Sequence, residues 1–114
     1  MANPLKGEVE ITIGSDTYKT RLTIDSLVKI ESELGLGIIQ LAQKLSQADI
    51  RITELATVLR YALRGGGNDF DIKKTYKLIE DNGIVAISAV VVNLISQSLS
   101  DPKEDSEGKE EAVA

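Results

Sequence analysis

Apolar and polar residues alternate through "GEVEITIGSDTYKTRLT" (residues 7–23): Val9, Ile11 and Ile13 fall on one side, Gly14-Ser15-Asp16 interrupts, and Tyr18 and Leu22 resume the pattern. A period of two on both sides of a turn predicts a β-hairpin. Two strands alone are marginal in water, so their apolar face needs a cover, and the rest of the chain shows only helical periods. The expected fold class is α+β: an N-terminal β-hairpin packed on a bundle of about four to five short helices.

Helix punctuation follows in order. Thr23 reads as an N-cap flanked by the hydrophobic staple Leu22 and Leu27, with Asp25 in the electropositive first turn. Leu27, Ile30 and Leu34 repeat on one face until Gly35, which suits a left-handed C′ position. After Gly37, read as a turn residue, Ile38, Leu41, Ala42 and Leu45 predict a second, short helix. A third is expected from a Thr53 cap, along the stripe Leu55, Val58, Leu59, Ala62 and Leu63, to Gly65-Gly66-Gly67. Asp69 or Asp71 caps a fourth, whose Ile72, Tyr76 and Ile79 face one way while Lys73, Lys74 and Lys77 lie mainly elsewhere and read as a solvated face, with a stop near Gly83.

The segment "IVAISAVVVNLISQSLS" (residues 84–100) is the most apolar stretch. Its Val and Ile content favours a strand and its length a helix, and length decides. On a helix, Ile84, Ile87, Val91, Leu94 and Ile95 form one stripe, and Val85, Ala89, Val92 and Leu99 a second. Two stripes exceed what a peripheral helix needs. Either this is a central helix covered on all sides, or the second stripe is a face for self-association or partner docking. Val85, Ala89, Val92 and Leu99 are therefore the candidate docking residues.

Composition then narrows the chemistry. The 114 residues suffice for one domain, expected over residues 1–100, and they include no histidine and no cysteine. Imidazole bases, thiolate nucleophiles and the usual zinc, haem and iron–sulfur ligand sets are thereby excluded. "GLGIIQ" lacks the third glycine and preceding strand of a dinucleotide fingerprint, and neither it nor "RGGGND" has the lysine of a P-loop. Asp69-x-Asp71 lacks the further ligands of a calcium loop, and Glu31, Glu33, Glu80 and Asp81 read as surface charges. No catalytic residue, metal site or cofactor is expected.

The net charge is −5, and residues 101–114 carry six acids against two lysines, which leaves the body close to neutral. This last segment is expected to be a disordered acidic tail. No basic stripe is present for a phosphate backbone, so a helical DNA-binding regulator using Arg51, Arg60 and Arg64 is the more distant alternative. Neither a signal peptide nor an apolar run of the ~20 residues needed to span a membrane is recognisable, so membrane association is not expected.

The hairpin leading into "IESELGLGI", followed by "LRYALRGGG", a short capped helix and an apolar last helix, resembles the small tail proteins of gene transfer agents and related siphophage-like prophages, over roughly residues 6–99. Members of that family are described as tail tube proteins or as tail assembly chaperones. The resemblance implies a non-enzymatic role in tail morphogenesis, in the cytoplasm of a bacterial host, with the tape-measure protein and the tail tube protein as partners and a homo-oligomer as a further expectation. One hairpin with about five helices suits the chaperone description better than a ring-forming β-barrel. A structural tube subunit retained in the particle is the alternative.

Overall fold

The computed structural model describes residues 8–99. The expectation of a disordered acidic tail at 101–114 lies outside the described residues. Strands β1 (Glu8–Ile13) and β2 (Asp16–Arg21) form a two-stranded antiparallel sheet, followed by α1 (Ile24–Leu34), α2 (Ile38–Ser46), α3 (Ile52–Gly65), α4 (Ile72–Asn82) and α5 (Ile84–Ser98). The fold is α+β, with the hairpin first and five helices after it among the described residues.

The hairpin buries one face. Val9, Ile11 and Ile13 of β1 are buried, and across the register Val9 meets Thr20 and Ile11 meets Tyr18. Thr20 is fully buried although polar, because its hydroxyl donates to the Val9 carbonyl at 2.7 Å. Tyr18 closes the sheet's side by an edge-on contact with Phe70, ring centroids 5.7 Å apart. α5 packs against β1, and α3 against β2.

The first helix follows its sequence signals. The Thr23 hydroxyl accepts the Ser26 N–H at 3.0 Å, and Leu22 and Leu27 are both buried, as a staple requires. Gly35 ends the helix in the left-handed region at φ 69°, donating to the Glu31 carbonyl at 2.8 Å. Gly37 has an extended φ of −70°, open to any residue, so it starts α2 without needing a glycine backbone. Glu31 is not a free surface charge: its carboxylate accepts the Ile38 N–H at 2.8 Å and so supplies the cap that Gly37 lacks.

α3 is the helix surrounded by the others, contacting β2, α1, α4 and α5. Leu55, Ala56, Val58, Leu59, Ala62 and Leu63 have no exposed area, and each such Leu or Val contributes ~1.5–3 kcal/mol on burial. Its start differs from the Thr53 cap expected, for the helix begins at Ile52 with Arg51 as N-cap. The reason is Glu54, whose carboxylate reaches back to the Arg51 N–H at 2.9 Å and satisfies an orphan donor from inside the helix. α4 is capped by Asp71, whose carboxylate accepts the Lys74 N–H at 2.8 Å. Thr75, absent from the expected apolar face, is fully buried with its hydroxyl donating to the Asp71 carbonyl.

The glycine run after α3 does more than stop a helix. Gly65 is still helical, and a Cβ there would fall far inside contact distance of the Arg21 carbonyl oxygen. A Cβ on Gly66 would collide with the Lys19 carbonyl and lie 2.8 Å from Thr20 Cα. Asn68 completes the junction by donating to the Lys19 carbonyl at 2.6 Å. The end of α3 thus lies directly against the β2 backbone.

Gly66→Ala should therefore cost about 2 kcal/mol or more in denaturant unfolding, because backbone rather than a flexible side chain has to move. Gly35→Ala should cost only ~1 kcal/mol, since nothing lies within 4 Å of its Cβ position and only the positive φ opposes it. Equal costs for the two substitutions would show that the glycine contact with β2 is not what selects Gly66.

Candidate docking surface

α5 separates its two stripes. Ile87, Val91 and Leu94 are fully buried and Ile95 nearly so, as the first stripe requires. Ile84, expected among them, is instead 47% exposed. The chain turns through 116° between α4 and α5 at Gly83, which leaves the first turn of α5 outside the packed layers.

The second stripe does not form one continuous face. Val85 is 84% exposed and Ala89 is exposed, whereas Val92 and Leu99 are half-buried against the core. Val92 and Leu99 line a groove of about 220 Å³ between α2 and α5, shared with Ala42 and Leu45.

A larger cleft, about 530 Å³, opens at the corner where α3 begins, α4 ends and α5 starts. Ile52, Tyr76, Ile79, Glu80, Gly83 and Ile84 line it. Ile52 is 49% exposed and Tyr76 39%, and Val85, next to Ile84 in the chain, is exposed as well. Large apolar side chains concentrated around a concave corner are unusual on an isolated surface and fit a protein contact. The sequence pattern does not reveal this site, because Ile52 precedes the expected Thr53 cap and Tyr76 shares an apolar stripe with Ile72 and Ile79. The isoleucine just ahead of the capping pattern was the available signal.

Polar contacts fix the corner's α3 wall. Lys44 of α2 donates to Glu54 at 3.0 Å, and this ion pair is largely removed from water, with 23% of the lysine and 9% of the glutamate side chain exposed. Burial pushes the Glu54 carboxyl upward. The Arg51 N–H and the Lys44 ammonium outweigh it, so the group titrates below the ordinary glutamate range. Ile52 is thereby held at the start of a helix pinned to α2.

The remaining charged groups have local tasks. Glu33 accepts from the Tyr61 hydroxyl at 2.6 Å and from Arg60 at 3.3 Å, so it is not a free surface acid. That hydrogen bond, followed by burial, raises the Tyr61 hydroxyl above its usual range. Arg60 stacks over the Tyr61 ring at 4.8 Å, which ties down one of the three arginines considered for nucleic acid. Lys77 pairs with Asp81 at 3.0 Å, both well exposed, in keeping with a solvated lysine face. Among the described residues, no group of three or more acidic, histidine or cysteine side chains is placed to hold a metal ion. No single described helix is long and apolar enough to cross a membrane.

The family described as phage tail tube protein, GTA-gp10, matches residues 6–101. The chain belongs to that family. No significant match is found among curated proteins or solved structures. The GTA-gp10 match takes in every element from β1 to α5, so the corner cleft and both α5 stripes lie inside the family region. The family's description is structural, a component of a phage tail, and interaction with other tail proteins follows from it.

Two outcomes follow from this geometry. Val91→Asp should unfold the GTA-gp10 domain, since an unpaired buried charge costs several kcal/mol, while Val85→Asp should change stability by less than about 0.5 kcal/mol in the same melts. For Glu54, the depressed folded pKa means that its contribution is present above the ordinary glutamate range and lost as pH falls through the folded value. Glu54→Gln should accordingly be less stable than the parent by about 1–3 kcal/mol at neutral pH, the two converging in acid once the carboxyl is protonated.

Proposed function

We propose that the protein is a tail assembly chaperone, acting in the host cytoplasm, that holds the tape-measure protein soluble and helps bring tail tube subunits to it. The observation that carries this reading is the exposed apolar corner formed by Ile52, Tyr76 and Ile84, with exposed Val85 next in the chain. A long tape-measure helix carries apolar stripes that aggregate unless covered. A concave apolar corner on a small helical domain offers a docking place for an amphipathic helix, with anchors at successive turns. Weak contacts repeated along such a helix give strong but displaceable capture.

A structural tube subunit is the second reading, favoured by the family's own description. The two differ in where the protein ends up. A chaperone leaves before the tail is finished, while a tube subunit remains in many copies. Quantitative proteomics of purified particles together with co-expression pull-downs on the tape-measure protein separates them. The chaperone reading expects near absence from particles and capture that falls at least about tenfold in Ile84→Asp and Val85→Asp, as for anchor residues of an interface. Stoichiometric presence in particles would establish the tube reading instead.

A further inference from the structure

We propose that the outer edge of β1 accepts an extended strand of another polypeptide that carries lysine or arginine at alternate positions. A two-stranded sheet has two edges, and among the described residues the β2 edge is the one seen to be covered. On β2, the Lys19 carbonyl accepts from Asn68 at 2.6 Å, and Gly65 and Gly66 lie against the carbonyls of Arg21 and Lys19. In an antiparallel ladder, backbone groups point alternately toward the partner strand and away from it. Since Lys19 and Arg21 direct their carbonyls outward, their register partners Glu10 and Glu8 direct theirs to the opposite edge, and Thr12 follows in the same phase. Among the described residues, no hydrogen bond reaches the backbone of Glu10 or Thr12 from beyond the hairpin. Pairing with β2 already holds β1 extended along Glu8–Ile13, so a joining segment meets a prepared template.

Charge selects the occupant. Glu8 and Glu10 stand on the outer face of β1, and Lys19 and Arg21 stand opposite them on β2. Glu10 forms no ion pair among the described residues. A second copy's β1 would set acid beside acid, and its β2 edge is already covered by α3. An incoming strand with basic residues on the outer face would continue the cross-strand alternation of sign, each such pair favouring it modestly. This edge is made by Glu10 and Thr12 and not by the residues that line the cleft, and the inference does not depend on the chaperone reading.

The test uses the full chain and two labelled peptides, KVKVKVK and EVEVEVE, followed by fluorescence anisotropy and by amide exchange at single-residue resolution. The lysine peptide is expected to bind and to slow exchange at Glu10 and Thr12, and the glutamate peptide to do neither. Glu10→Lys should weaken the lysine peptide by about fivefold to tenfold and improve the glutamate peptide. Thr12→Pro should abolish strand addition while sparing the hairpin, because the N–H it removes points outward. If that variant fails to fold, Glu10→Lys still decides. Equal binding of both peptides, indifference to Glu10→Lys, amides at Glu10 and Thr12 already slow in the free chain, or a dimer formed through β1 would each overturn the proposal.

Discussion

The contact on which the rest of the architecture depends is backbone against backbone: the last turn of α3 lies on the outward carbonyls of β2, and only residues without a Cβ allow it. An isolated hairpin is marginal in water because it lacks a second layer for its apolar face. Gly65 and Gly66 supply the approach, and Asn68 adds directional hydrogen bonds, to the Lys19 carbonyl and to the Leu63 carbonyl at 3.1 Å. With β2 held there, Val9, Ile11 and Ile13 face α5, and Tyr18 meets Phe70. One junction therefore sets the orientation of the sheet relative to both central helices.

Burial and exposure divide along the same geometry. α3 is enclosed because four elements converge on it, and its polar termini are satisfied locally, by Glu54 at the start and by the glycine turn at the end. α5 is enclosed only beyond its first turn. The 116° change of direction at Gly83 carries Ile84 and Val85 outside the layers, and Ile52 at the start of α3 and Tyr76 on α4 border the same corner. Among the described residues these apolar side chains therefore stand at the surface, on the side of the molecule that the bend between α4 and α5 creates.

Much of this was legible in the chain. Period-two alternation located the hairpin, and Thr23, Gly35 and Asp71 marked helix ends through caps whose chemistry is local to a few residues. What was not legible depended on distant partners. Glu31 caps α2 from seven residues upstream, Thr20 is buried with its hydroxyl on the Val9 carbonyl of the other strand, and the glycine run is selected by a strand more than forty residues earlier in the chain. The candidate site was partly legible: an excess of apolar residues on the last helix was visible, but not its division into an exposed end and a groove. The corner cleft required knowing that α3, α4 and α5 meet there.

The closed and open edges of the sheet also bear on how a protein of this family can assemble. A subunit that builds a continuous β-walled ring offers two edges, so that each copy pairs with one neighbour on either side. Here the β2 edge is occupied by the protein's own α3, and the glycines that fit there leave no room for a further strand. Any pairing through the β1 edge therefore ends after one partner. Propagation through the sheet would first require α3 to be released from β2, at the expense of the junction that orients the whole fold.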